Sequence, residues 1–131
     1  MAEQNIADDE VLFRRIPPGT KWFEPPDRIS SINFKLRKNR QELGLSVYRA
    51  NKVHAKDILD DPDAIPGSII AKASAGDIRK LTDGNGKPLE LDVVVINDDN
   101  DPGHAEIRGP VLGVIKESAS VALRKLFNIV Q

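Results

Sequence analysis

The stretch DPGHAEIRGP (101–110) predicts a short β-strand and, with it, the fold class of the chain. Between its two glycines, polar and apolar residues alternate, which is the period of a strand with one buried and one solvated face. Ala105 and Ile107 would face the core. A strand with one solvent-exposed face is typical of an antiparallel sheet. The solvent-exposed face would carry His104, Glu106 and Arg108.

Stretches on either side of this one predict the remaining strands. The alternating ISSINFKLR (29–37), followed by LSVYRA (45–50), predicts a hairpin with a long polar loop. VLFRRI (11–16) and SIIAKAS (68–74) predict two more strands, and the apolar LELDVVVI (89–96) predicts a strand at the centre of the sheet. We therefore expect a small, mainly antiparallel sheet of five to six strands.

Two helical signals complete the predicted α+β fold. Ser74 followed by Asp77 has the spacing of a capping box and predicts a brief helix. The C-terminal SASVALRKLFNIVQ (118–131) carries an apolar stripe at helical spacing, which predicts an amphipathic helix packed across the sheet. We expect a flexible N-terminal arm over residues 1–10 and a single α+β domain over residues 11–131.

Composition excludes several classes of protein. Of the 131 residues 40% are hydrophobic, 30% are charged and 5% are aromatic, which predicts a globular domain with a core of Ile, Leu, Val and Ala. The chain has no cysteine, which excludes disulfides and thiolate chemistry. The acidic start lacks a secretory signal, and no apolar run is long enough to span a bilayer. We expect a soluble cytoplasmic protein with no membrane contact, no metal site and no cofactor.

The net charge of −1 conceals a strong regional imbalance. Residues 28–52 hold seven basic side chains against Glu42 alone, a local charge of +6. In the predicted hairpin these charges would follow the outer face and the loop, where they could bind nucleic acid through its phosphates. A solvated charged surface is the alternative, and the pI of about 6.1 is low for a dedicated nucleic-acid binder.

The loop PPGTKWFEPPD (17–27) offers a different kind of surface. Its four prolines stiffen the backbone around the only Trp of the chain, so that docking onto a partner would cost little entropy. This favours our first hypothesis, a small binding or accessory module that acts through protein–protein interaction. Its partner-binding residues would be Trp22, Phe23, Arg37, Lys38, Arg40 and Arg49. Trp22 could instead fold back over the sheet.

An enzyme acting on a nucleotide or other phosphorylated ligand is the second hypothesis. In this interpretation His104 and Glu106 would exchange protons, while Arg108 and an arginine of the first strand, Arg14 or Arg15, would hold the anion. An exposed strand face with a salt bridge would display the same residues without any chemistry. The hypothesis predicts that these side chains converge on one concave pocket.

The same residues contribute to a resemblance. Arg14 or Arg15 on the first strand, the pair Ser30 and Ser31, and the late Glu106 resemble the Arg–Ser–Glu order of ADP-ribosyltransferases. In that family the Arg grips the phosphates of a dinucleotide, the Ser supports the ribose pocket and the Glu orients the ribose or the acceptor. The resemblance would make Arg14, Arg15, Ser30 and Ser31 ligand-binding residues; three residue types in order do not place the chain in the family.

Overall fold

The structure is a computed structural model that describes residues 6–37, 41–96 and 103–130. Eight strands lie in these ranges: β1 (Val11–Ile16), β2 (Phe23–Glu24), β3 (Arg28–Ile29), β4 (Leu45–Arg49), β5 (Ile69–Ser74), β6 (Asp92–Val95), β7 (His104–Arg108) and β8 (Asn128–Ile129). The helices there are α1 (Ala55–Leu59), α2 (Ala75–Arg79), α3 (Glu117–Leu126) and a 3-10 helix, Ser31–Phe34. The fold is α+β, as predicted, with one antiparallel six-stranded sheet and α3 packed against it.

The predicted strand at 104–109 is confirmed as β7, which lies between β6 and β4. Ala105 and Ile107 are both 0% exposed and belong to the core. The three polar residues of the strand keep partial exposure on the other face. The order of the sheet is β6-β7-β4-β1-β5-β8, so β4 and β1 form its centre.

The predicted hairpin over 29–50 is wrong. In the predicted first strand (29–37) only Ile29 belongs to a strand, β3, which pairs with β2, whereas Ser31–Phe34 form the 3-10 helix. The Ser30 side chain accepts a hydrogen bond from the Ile32 amide and caps this helix, an example of local polar side chains competing with a strand ladder. β4 is a strand as predicted, but it pairs with β1 and β7.

The strand predicted at the centre of the sheet over 89–96 lies at its edge. Only Asp92–Val95 is extended, and it pairs with β7 alone. Glu90 has a φ of +58°, in the left-handed region, which ends the extended run. Leu89 and Leu91 are nevertheless buried in the core. The apolar run therefore reflects burial of a loop as well as of a strand.

The helical predictions are largely confirmed. The Ser74 hydroxyl accepts from the Asp77 amide at 3.2 Å and begins α2. The C-terminal helix exists but ends at Leu126, because the chain turns extended at Phe127 and adds β8 to the edge of the sheet beside β5. Ser120 of α3 is buried and donates to the Phe34 carbonyl at 2.8 Å, which ties the helix to the 3-10 segment.

The start of the described chain contacts the rest of the fold. Ile6 is 2% exposed and belongs to the core, and Glu10 forms a largely buried ion pair with Arg49. Residues 1–5 lie outside the described residues, so the division into an arm and a domain stays a prediction. Apart from Phe34 and Phe127, whose rings lie 5.0 Å apart, the buried hydrophobic residues of the described chain are Ile, Leu, Val and Ala.

Candidate anion-binding groove

The centre of the sheet is split. β1 and β4 are paired at only two positions, and their ladder ends before Arg14. Beyond that point the guanidinium of Arg14 bridges the opening: Nη1 donates to the Ser46 carbonyl, and both Nε, at 2.9 Å, and Nη2 donate to the Asn33 carbonyl. A charged side chain therefore replaces backbone pairing between the two central strands.

Arg14 carries a partly buried positive charge. Burial lowers its pKa to about 10, so the side chain stays protonated at neutral pH. Its guanidinium carbon lies 5.7 Å from the centre of the Phe34 ring, a cation–π contact. Among the described residues, no carboxylate lies within 4.0 Å of this guanidinium. Within the described part of the chain, the charge at the split is therefore not neutralised by an ion pair.

Asn33 anchors the segments beside the opening between β1 and β4. The residue is 3% exposed, and its side-chain amide donates to the Trp22 carbonyl at 2.7 Å and to the Ser30 carbonyl at 2.9 Å. Its own carbonyl is the acceptor for Arg14. Asn33 thus joins the proline-rich loop, the 3-10 helix and β1 at one point.

These elements enclose a groove of about 650 Å³, a volume within the usual range of ligand sites. Its basic lining consists of five side chains: Arg14, Arg15, Lys21, Lys35 and Arg37. Its other lining residues are Pro17, Trp22, Ile32, Asn33, Leu36, Ser46, Tyr48 and Ile65. No Asp or Glu belongs to the lining that the described chain provides. We name this cavity the cationic groove.

Three of the basic side chains have carboxylate partners outside the lining. Arg37 pairs with Glu42 at 2.8 Å, Lys35 with Glu117 at 3.0 Å, and Arg15 lies 4.0 Å from Asp61. Burial acts to raise the pKa of Glu42, but hydrogen bonds from Arg37 outweigh it and lower that pKa.

Lys21 differs from these three. Its Nζ lies 5.2 Å from the centre of the Trp22 ring, and no described carboxylate lies within 4.0 Å. Lys21 and Arg14 therefore leave positive charge inside the groove, and a concave cationic surface concentrates anions.

The polar face of β7 lies beside this groove, not inside it. Glu106 and Arg108 bind each other at 2.9 Å, and neither they nor His104 line the groove. His104 contacts two groove residues on the neighbouring strand: its Nε2 lies 3.1 Å from the Ser46 hydroxyl, and its ring centre lies 5.9 Å from that of Tyr48. Its Nδ1 is buried and has no hydrogen-bond partner within the described part of the chain.

The ligand-binding residues suggested by the Arg–Ser–Glu order are divided between two cavities. Arg14 and Arg15 line the cationic groove. Ser30 and Ser31 line a separate cavity of about 400 Å³, together with Thr20, Glu24, Arg28, Ile29 and Arg124. Glu106 lines neither of these cavities. The structure therefore does not gather these residue types in one pocket.

The residues predicted to bind a partner have different environments. Trp22 and Phe23 are half-buried and pack against the core, and Trp22 also lines the groove. Arg37 also lines the groove, whereas Arg49 is occupied by its ion pair with Glu10. Lys38 and Arg40 lie outside the described residues.

Sequence reasoning missed Asn33, Lys21 and Lys35. In a strand over 29–37 the alternation would place Asn33 on the polar, solvent-exposed face, but the residue is buried. A usable signal was the polar run Ser30–Ser31 before it, since such side chains favour local bonds to the backbone. The two lysines enter the groove only because the loop 17–27 and the 3-10 helix meet over the split sheet.

A second surface is apolar and exposed. Leu43, Val111, Leu112 and Val114 are 47–61% exposed, and the Gly113 amide donates to the Leu43 carbonyl at 3.0 Å, which brings the two loops together. We name these four residues the apolar patch. Exposed apolar clusters of this kind mark interaction surfaces more often than scattered single residues do.

Comparison of the chain with protein-family models, with curated proteins and with solved structures finds no match. In the described ranges, no three His, Asp or Glu side chains gather as a metal-binding group. The helices of those same ranges are too short or too polar to cross a membrane.

Proposed function

We propose that this protein is a binding module that holds a phosphorylated ligand of the nucleotide class in the cationic groove. The observation that carries the proposal is a concave site of about 650 Å³ with five basic side chains and no acidic one in its described lining. Ordinary charged surfaces mix both signs and are not concave. A lining of one sign around an opening in the sheet is suited to a small anion.

The phosphate end of such a ligand would lie on the arginines. Arg14 presents a planar guanidinium whose position is fixed by three hydrogen bonds to carbonyl groups. Guanidinium groups bind phosphate oxygens in a two-pronged geometry, and such charge-assisted bonds are stronger than neutral ones. Arg15 and Arg37 line the same groove, and their charges are partly offset by Asp61 and Glu42.

The aromatic and apolar part of the lining suits a nucleobase. Trp22 and Tyr48 line the groove together with Ile32, Leu36 and Ile65. A base that stacks on an aromatic side chain gains about 1–3 kcal/mol. Phosphate alone would use only the cations, whereas a nucleotide would use both kinds of lining.

Titration monitored by the fluorescence of Trp22, the only Trp of the chain, tests the proposal. We expect ADP to change this fluorescence saturably, adenosine and pyrophosphate to bind more weakly, and added salt to weaken ADP binding. ADP at 100 times its Kd should stabilise the fold by about 2.7 kcal/mol. An oligonucleotide presents the same chemistry, and its binding in preference to ADP would favour the nucleic-acid hypothesis. The absence of saturable binding by all of these probes would contradict the proposal.

A protein partner is the second candidate function, and the apolar patch favours it. We expect affinity purification to recover one defined partner with the wild-type protein and to lose it with Leu112→Ser, because the exposed side chain would supply apolar contact area. Lys87→Gln, an exposed position in another turn, is the control and should keep the partner. Equal recovery by wild type and Leu112→Ser would count against this candidate.

A further inference from the structure

One pair of side chains at the edge of the cationic groove has the arrangement of a nucleophile and its base. Ser46 of β4 is exposed and lines the groove, and its hydroxyl lies 3.1 Å from Nε2 of His104 on the adjacent strand β7. The register pairs Tyr48 with His104, so Ser46 and His104 are diagonal neighbours on one face of the sheet. The two side chains are held by the sheet itself.

The two nitrogens of His104 have different environments. Nε2 faces the Ser46 hydroxyl, whereas Nδ1 is buried and has no hydrogen-bond partner among the described residues. With the ring proton on Nδ1, Nε2 is the acceptor that a serine hydroxyl requires in order to become a nucleophile.

Basic side chains line the same groove as Ser46. Arg14 is hydrogen-bonded to the Ser46 carbonyl, and both residues line the groove with Arg15 and Arg37. Cations fixed around the attacked phosphorus stabilise the charge that spreads over its oxygens in the transition state. Glu106 and Arg108, by contrast, bind each other and do not line the groove, so the pair does not include them.

We propose that Ser46 and His104 hydrolyse a phosphate monoester or anhydride bound in the cationic groove, an inference that rests on the proposed binding function. The Ser46 oxygen attacks phosphorus while His104 Nε2 takes the hydroxyl proton. The bond from phosphorus to the leaving oxygen breaks, the leaving group departs with that electron pair, and it receives the proton from His104. Water then attacks the phosphoserine, gives a proton to His104 and releases inorganic phosphate, and the Ser46 oxygen recovers its proton from His104.

The test measures phosphate release and binding on the same preparations. Wild type, Ser46→Ala and His104→Gln are incubated with p-nitrophenyl phosphate, AMP and ADP, and ADP affinity is followed by Trp22 fluorescence. We expect release by the wild type, a loss of about 100-fold or more in both variants, and retained ADP binding. Intact-mass analysis should show a phosphoryl adduct on the wild type and none on Ser46→Ala. Ser31→Ala, in the separate cavity, should behave as wild type.

The outcomes separate the inference from the function on which it rests. A wild type that binds ADP but releases no phosphate from any of these probes overturns the inference and leaves the binding function standing. Release that survives both substitutions overturns it as well. A wild type that neither binds ADP nor releases phosphate overturns both proposals.

Discussion

Replacing Phe34 with Ala should lower the free energy of unfolding by about 3–5 kcal/mol, the usual range for a fully buried Phe. Phe34 is 0% exposed, packs on Phe127 and lies under the Arg14 guanidinium. Its carbonyl also anchors Ser120 of α3, so the ring stands where the 3-10 helix, β1 and α3 meet. Urea denaturation measures the loss directly.

The stability of Asn33→Ala distinguishes the observed 3-10 helix from a strand at this position. A strand would place Asn33 in solvent, where its substitution would cost less than about 0.5 kcal/mol. In the structure its amide serves two carbonyls in a buried position, so we expect a loss of about 1–3 kcal/mol. Leu36→Ala, at a partly buried site, is the matched apolar control and should cost less than Phe34→Ala. A large loss of stability for Leu36→Ala together with no loss for Asn33→Ala would contradict the 3-10 helix and support a strand at this position.

Replacing Arg14 with Gln should weaken ADP binding by about 10- to 100-fold. A hydrogen bond to a charged group contributes about 1.5–3 kcal/mol, which corresponds to that range of affinity. The effect on stability should be smaller, because loss of the donors for Ser46 and Asn33 is partly offset by removal of a partly buried charge. Titration by Trp22 fluorescence gives the affinity, and thermal unfolding shows that the variant is folded.

Two further substitutions make the Arg14 result specific. Arg14→Lys keeps the charge but loses the planar fork, so its affinity should fall between those of wild type and Arg14→Gln. Arg28→Gln removes an arginine that is 73% exposed in the separate cavity and should leave ADP affinity unchanged. If a folded Arg14→Gln bound ADP as tightly as the wild type, the groove would not be the anion site.

The elements that the sequence predicted correctly are those specified by a local pattern. β7 and β1 follow from short alternating or apolar runs with turn residues beside them, and α2 follows from the Ser74–Asp77 cap. In each of these the residues that decide the structure lie within a few positions of one another. Tertiary packing then agreed with the local preference.

The predicted hairpin is wrong because a segment that wraps over a core can show the same alternation of apolar and polar residues as a strand. Phe34 is buried as the alternation required, but Ser30 and Asn33 satisfy backbone groups locally and hold the segment in a 3-10 helix. The strand at 92–95 was misplaced in the sheet for a related reason, since Leu89 and Leu91 are buried outside any ladder.

The candidate site was only partly accessible to sequence reasoning. Arg14 and Arg15 were proposed as anion-binding residues, and they line the groove. The groove itself arises from the split between β1 and β4, which depends on strand order and register. The contact between Ser46 and His104, 58 positions apart in the chain, depends on the same register.

The position of ADP on the protein tests the central claim most directly. In an amide-correlation NMR titration, we expect the largest shifts at the Trp22 indole and at the amides of Lys21, Ser46 and Tyr48, all of which belong to the cationic groove. Saturable shifts confined to those signals would support a nucleotide in the split of the sheet. Shifts centred on Thr20, Ser31 and Arg124, or on the apolar patch, would contradict it.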